Sequence, residues 1–199
     1  MRRYLTLLAL LFFYYSISVV AQEKHTGLID GKATRKTVAL YNNLKLLALQ
    51  GTLFGQHEAL AYGVGWRGEA DRSDVKEISG SHPAVHGWDL GKIGTDKSIN
   101  GVPFEDVQRY IKEVYKQGGI NTVSWHMDNL LSGGSSWDTT HAVADILPGG
   151  KAHPAYLKKL DLAAAFLKDC RANIFTPIPI IFRPYHEHNG DWFWWGKGY

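Results

Sequence analysis

Short apolar segments alternate with amphipathic ones along this chain, and that alternation limits the possible folds more than any other feature. Four segments have the length and the branched or aromatic content of strands. They are TLFGQHE (52–58), PAVHGWDL (83–90), INTVSWHMD (120–128) and IPIIFRPYHE (178–187). Helical spacing of apolar residues predicts helices at 32–51, 104–119 and 154–172. Nearly continuous apolar strands that alternate with helices predict an α/β fold with a covered parallel sheet.

Each predicted strand ends in polar and aromatic residues. They are Gln56, His57 and Glu58; His86, Trp88 and Asp89; Trp125, His126 and Asp128; and His186 and Glu187. Active sites lie at the carboxyl ends of strands in (β/α)8 TIM barrels and in open doubly wound sheets. No Gly-rich nucleotide-binding pattern follows the first strand, which favours the barrel.

The chain supplies four strands, whereas a (β/α)8 barrel takes about 250 residues and eight strands. A fourth strand with an unpaired edge is a liability in a folded protein. We therefore expect about the first four β/α units of the barrel, as the N-terminal half of a truncated catalytic domain. A half-barrel that pairs with another chain is the alternative.

The first 22 residues have the pattern of a secretory signal peptide. Two arginines follow Met1, residues 4–22 are uncharged, and the apolar stretch is short for a membrane span. Small residues up to Ala21 predict cleavage near Ala21–Gln22. We expect a signal peptide at 1–21, a catalytic domain at 22–199, and a secreted or periplasmic protein without membrane insertion after cleavage. An uncleaved anchor is the alternative.

Charge and cysteine content exclude some classes of partner. The net charge is +3, and removal of two arginines with the leader leaves about +1. This balance gives no indication of a nucleic-acid partner. The single cysteine, Cys170, cannot form an intramolecular disulfide, and its apolar helical context predicts a small buried side chain.

The segment RPYHEHNGDWFWWG (183–196) concentrates ionisable and aromatic side chains around Glu187. Burial beside tryptophan raises the pKa of a carboxyl group, so Glu187 is a candidate general acid. A tryptophan wall suits the apolar face of a sugar ring. The alternative is a structural ion pair between Glu187 and Arg183.

Several nearby residues have two interpretations. His186 and His188 share a face if the strand continues through them, and a third ligand from His126 or Asp128 would complete a zinc site. The Asn-Gly pair that begins at Asn189 argues against this site, because it indicates that the strand has already ended. His126 is a ligand contact or a core histidine. Trp88 and Asp89 fit a sugar subsite or the core, and Trp137 is an exposed platform or a plug.

The 183–196 segment resembles the acid/base signature of glycoside hydrolase family 26, and segments 51–66, 83–90 and 122–129 resemble further blocks in the family's order. That family contains mainly endo-β-1,4-mannanases, with some β-1,3-xylanases and β-glucanases. The resemblance implies a (β/α)8 barrel and retaining hydrolysis of β-mannan without a metal or other cofactor. Gln56–His57 in place of His-Gln, and Tyr185 and His188 in place of apolar residues, depart from the pattern.

The resemblance assigns roles to individual residues. Glu187 is the proton donor and acid/base. The expected substrate-binding residues are His126, His186, Trp192, Asp89, Trp88 and Trp195. The family nucleophile, a glutamate on the seventh strand, is absent from this chain, so we expect the chain alone to be inactive. Within the chain, the candidates for a second carboxylate are Glu58, Asp89 and Asp128, all on earlier strands. Alternatives are a family member acting on β-1,3-xylan or mixed-linkage β-glucan, a non-catalytic glycan-binding half-barrel, and a metal-dependent hydrolase.

Overall fold

The computed structural model describes residues 27–198, and the predicted signal peptide at 1–21 lies outside them. The helices are α1 (Arg35–Leu47), α2 (Asp74–Ser79), α3 (Phe104–Lys116), α4 (Val143–Ile146) and α5 (His153–Asp169). The strands are β1 (Gly55–His57), β2 (Tyr62–Gly63), β3 (Trp66–Arg67), β4 (Val85–Asp89), β5 (Ile120–Trp125), β6 (Arg171–Asn173), β7 (Thr176–Pro177) and β8 (Ile180–Pro184). Within the described range, no helix combines the length and apolar character needed to cross a bilayer.

The main sheet has four parallel strands in the order β1–β4–β5–β8, so strands that follow one another in the predicted pattern are neighbours in space. This arrangement confirms the predicted parallel α/β fold and brings the four polar strand ends to one edge. Two short antiparallel ribbons, β2–β3 and β6–β7, were not predicted; they lie in the connections before β4 and before β8. A barrel of eight strands stays a prediction.

The amphipathic helix α3 explains how one face of the sheet is covered. Val107, Ile111 and Val114 recur at helical spacing and are completely buried. Glu105 and Asp106 lie in the first turn and Lys116 in the last, where their charges interact favourably with the helix dipole.

Cys170, predicted to be a small buried side chain, is 2% exposed.

The side chain of Trp88 belongs to this core. Its ring stacks on Tyr110 of α3 with the ring centres 5.7 Å apart, and its indole N–H donates to Asn121 Oδ1 over 2.8 Å. The side chain is 0% exposed. The structure therefore corrects the prediction of a sugar contact by Trp88: successive strand residues point to opposite faces, and Trp88 points toward the helix layer.

Candidate functional site

The site begins at a tight turn that follows β8. The strand ends at Pro184, and residues 185–189 form a turn in which Tyr185 and Glu187 both have positive φ, at 53° and 55°. This conformation is unfavourable for residues other than glycine, so the surroundings must hold it. The Tyr185 hydroxyl lies 2.6 Å from the hydroxyl of Tyr156 on α5, and the amide of Gly190 donates to the Glu187 carbonyl over 2.9 Å.

The turn changes the geometry that the sequence suggested for the histidines. Because β8 ends before His186, strand alternation does not place His186 and His188 on one face. Among residues 27–198, no three His, Cys, Asp or Glu side chains form a group suited to a metal ion. His186 instead faces another histidine, as described below.

Glu187 is exposed and is bound by a neighbouring tryptophan. Trp192 Nε1–H donates to Glu187 Oε2 over 2.9 Å, and the Trp192 side chain is 44% exposed. A Cβ atom on Gly190 would overlap the ring of Trp192, so a glycine is required there for this approach. The carboxylate and an open aromatic face therefore lie side by side at the surface.

The rest of the aromatic cluster anchors this segment to the sheet. Trp194 is completely buried and donates to the carbonyl of Met127 over 2.9 Å, and Trp195 donates to the carbonyl of His186 over 2.9 Å. Phe193 stacks on Trp195 with the ring centres 4.5 Å apart. Trp195 is 7% exposed. Its contacts support the backbone at His186, and a substrate contact by Trp195 stays a prediction.

A chain of polar contacts links β4 to the turn after β8. Asp89 Oδ2 accepts from the Ser124 hydroxyl over 2.6 Å and lies 2.8 Å from His126 Nδ1. His126 Nε2 lies 3.2 Å from His186 Nε2. The structure thus brings Asp89, His126 and His186 together, although they lie at or just after the ends of three different strands.

Asp89 lies behind His126, not at the surface. It is completely buried, and Oδ1 also accepts from the Gly91 amide over 2.6 Å. The predicted direct substrate contact by Asp89 is thereby corrected, because its oxygens are already bound. Burial opposes ionisation of Asp89, but hydrogen bonds from His126 and Ser124 outweigh it and lower the pKa of the carboxyl group. Burial, reinforced by the charge of His126, lowers the pKa of His186.

A second exposed tryptophan, Trp137, lies beside His126. Its ring is 51% exposed and stacks on His126 at 5.2 Å, with 14° between the ring planes. Of the two sequence interpretations, this exposure favours the platform. The loop that carries Trp137 is organised by Asn129, which is completely buried. Its side-chain amide donates to the carbonyls of Asp138 and Thr140.

Asn129 was missed in the sequence as an organising residue. Its Oδ1 also accepts from the amides of Leu131 and Ser132, at 3.0 and 3.2 Å. The available signal was an asparagine three residues before a Ser-Gly-Gly sequence, since asparagine is a residue type that binds nearby backbone groups. By contrast, Glu58, a candidate second carboxylate, is completely buried beyond β1.

Comparisons with known proteins agree with this geometry. The profile of Glycosyl hydrolase family 26 matches residues 29–199. A mannan endo-1,4-beta-mannosidase of Bifidobacterium adolescentis is 38% identical over 176 residues, which is 84% of this chain and 17% of that protein. A protein of the same name from Bacillus subtilis is 32% identical over 144 residues, covering 64% of this chain and 35% of its own length.

Solved structures show the same likeness. A family 26 β-mannanase from Bacteroides ovatus superposes with a TM-score of 0.80 at 44% identity, over 83% of this chain and 49% of its own. A modular endo-β-1,4-mannanase from Cellulomonas fimi gives 0.75 at 36% identity, over 84% of this chain and 39% of its own. The chain spans at most about half the length of these four relatives. Since the family profile covers most of the sequence, the chain belongs to glycosyl hydrolase family 26.

Proposed function

We propose that this chain carries the acid/base part of the active site of a β-mannanase that cleaves β-1,4-mannosidic linkages. The observation that carries the proposal is the exposed carboxylate of Glu187, held by the exposed indole of Trp192. The names of the mannan-degrading relatives support the substrate class.

The geometry supports different roles for Glu187 and for the side chains around it. As general acid, Glu187 protonates the departing glycosidic oxygen, and it then removes a proton from the water that releases the bound sugar. The faces of Trp192 and Trp137 offer apolar area to the C–H side of sugar rings. His126, whose ring stacks on Trp137, and the neighbouring His186 bind hydroxyl groups.

A retaining glycosidase needs a second carboxylate about 5–5.5 Å from the acid/base, to serve as nucleophile. Of the three candidates within the chain, Glu58 and Asp89 are completely buried and Asp128 is half-buried. We propose that the nucleophile is a glutamate on a later strand of a (β/α)8 barrel and is absent from this chain. Mannan hydrolysis by the purified 199-residue chain would contradict this part of the proposal.

The proposed site of action is outside the cytoplasm, since residues 1–21 have the pattern of a secretory leader. Amino-terminal sequencing of the mature protein after expression in a secreting host tests this. A new terminus at Gln22 is expected, and a retained Met1 would contradict it.

The catalytic role of Glu187 can be tested in a chimera. In this "ovatus chimera", the chain replaces the part of the Bacteroides ovatus β-mannanase that it matches. We expect the chimera to hydrolyse mannan and the Glu187→Gln variant to lose about 100-fold to 10,000-fold in turnover. Glu105→Gln removes an exposed carboxylate on α3 and serves as the matched control, with activity unchanged. Undiminished turnover in Glu187→Gln would contradict the assignment of Glu187 as the acid/base. A folded chimera that binds mannan but does not hydrolyse it would favour a glycan-binding function.

A further inference from the structure

The buried carboxylate of Asp89 lies within hydrogen-bond distance of one ring nitrogen of His126. Asp89 Oδ2 lies 2.8 Å from His126 Nδ1, and Asp89 is completely buried. Two oxygen or nitrogen atoms at that distance must share a hydrogen. Because an ionised carboxylate only accepts, His126 must donate from Nδ1.

The next contact then permits one shared proton. His126 Nε2 and His186 Nε2 are 3.2 Å apart, so one of these nitrogens donates and the other accepts. Two imidazolium rings at this distance repel each other strongly. Within the described residues, His186 Nδ1 is buried without a hydrogen-bond partner, so no further contact stabilises a second charge there.

The surroundings hold the pair in place. The ring of Trp137 stacks on His126, and Phe193 packs edge-on against it with the centres 5.2 Å apart. The charged groups that act on His186 are Asp89, Glu187 and Arg183, besides His126 itself. The pair therefore links the buried carboxylate of Asp89 to the turn after β8 that carries Glu187.

We propose that Asp89 is a positioning residue: it fixes the Nδ1–H tautomer of His126 and thereby confines one proton between the Nε2 atoms of His126 and His186. In the neutral pair, His126 Nε2 is an acceptor. A sugar hydroxyl that displaces His186 from this nitrogen must donate to it. The catalytic meaning of this arrangement rests on the proposed function, whereas the tautomer itself does not.

An amide at position 89 reverses the arrangement. The amides of Gly91 and His126 donate to Asp89 Oδ1, over 2.6 and 3.2 Å. In Asp89→Asn these backbone donors keep the side-chain oxygen at the Oδ1 position. The NH2 group then replaces Oδ2 and donates to His126 Nδ1. His126 must then take the Nε2–H tautomer. The same change occurs in a Ser-His-Asp catalytic triad when the aspartate is replaced by asparagine, which leaves the histidine in the wrong tautomer.

The test is a long-range ¹H–¹⁵N correlation spectrum of histidine side chains in the ¹⁵N-labelled 199-residue chain, with His126 assigned through His126→Gln. We expect a protonated Nδ1 on His126 in the wild type and loss of that signal in Asp89→Asn. Asp74→Asn is the matched control: Asp74 also accepts from an indole and a backbone amide but contacts neither histidine in these bonds, so the His126 signal stays unchanged.

Ser124→Ala covers the case in which Asp89→Asn does not fold, because it removes one donor to Asp89 and leaves the carboxylate. We expect it to retain Nδ1–H on His126. An Nε2–H tautomer in the wild type, or Nδ1–H retained in folded Asp89→Asn, overturns the inference. The spectrum requires no hydrolysis, so an inactive ovatus chimera with the expected tautomer would refute the proposed function and leave this inference standing.

Discussion

The indole N–H of Trp192 donates to Glu187 Oε2 across 2.9 Å, which joins an exposed carboxylate of the site to an aromatic ring five residues later. The ring is 44% exposed, and a Cβ atom on Gly190 would overlap it, so the glycine permits the ring to lie where it reaches Glu187. One residue thus performs two tasks, since its nitrogen fixes the carboxylate and its face stays open to a ligand.

These two tasks can be separated by substitution at Trp192. In the ovatus chimera, Trp192→Ala removes the aromatic face and should weaken binding of a manno-oligosaccharide by about 1 kcal/mol, or about fivefold. Trp192→Phe keeps an aromatic face but loses the donor, so turnover falls by about fivefold while binding is nearly unchanged. Calorimetry in the Glu187→Gln background and initial rates measure the two effects. Equal loss of binding in both variants would show that the ring face is not the contact.

Substitution of Trp88, in contrast to Trp192, should lower the stability of the chain and leave sugar binding unchanged. Trp88→Phe leaves Asn121 Oδ1 without its donor and opens a gap beside Tyr110, so it should destabilise the chain by roughly 2–4 kcal/mol. Urea denaturation measures this cost, with exposed Trp192→Phe as the control that changes stability by about 0.5 kcal/mol or less. Oligosaccharide binding by the chimera should be unaffected. A stable Trp88→Phe variant that binds sugar poorly would restore the sugar-contact interpretation.

The element order was predictable from the sequence because its causes are local. Val107, Ile111 and Val114 lie on one face of α3, and this spacing is visible in the sequence. The sequence did not show which of Trp88 and Trp192 is buried and which is exposed, because burial of a side chain depends on partners that are distant in the chain. The acceptor for Trp88 is 33 residues away in the chain, on the next strand.

The site was predictable as a set of strand ends and not as a set of contacts. Parallel pairing brings the strand ends together, which is why Asp89, His126 and His186 meet. The turn that carries Glu187 was not predictable, since neither Tyr185 nor Glu187 is a residue type that favours positive φ. The role of Asn129 was only partly visible, because the residue type favours bonds to nearby backbone, but its carbonyl partners at Asp138 and Thr140 lie nine and eleven residues away.

Removal of the Asn129 side chain should release the loop that carries Trp137. Asn129→Ala deletes four hydrogen bonds to backbone atoms between residues 131 and 140, with a cost of roughly 2–4 kcal/mol. We expect loop amides to exchange with deuterium at least about tenfold faster, while amides of β5 keep their protection. Ser135→Ala, which removes a hydroxyl bonded to the Trp137 amide, is the milder control. Unchanged exchange in Asn129→Ala would mean that packing, not Asn129, holds the loop.

His86 should make the stability of the chain depend on pH. It is 1% exposed, and burial lowers the pKa of His86 to about 4, opposed by a hydrogen bond with the Pro83 backbone and assisted by the charge of His82. The folded-state value lies below the ordinary 6.5, so the contribution to stability is complete above pH 6.5 and is lost as the pH falls toward 4. The difference corresponds to about 3 kcal/mol.

Urea denaturation between pH 7 and pH 4 measures this loss. His86→Gln should flatten the slope in that window, but not abolish it, because the lowered pKa of His186 contributes in the same direction. Asn189→Gln, which changes an exposed residue of the turn after β8 that carries no titratable group, should leave the slope unchanged. A folded His86→Gln chain with the wild-type slope would show that His86 is not the buried group that takes up the proton on unfolding.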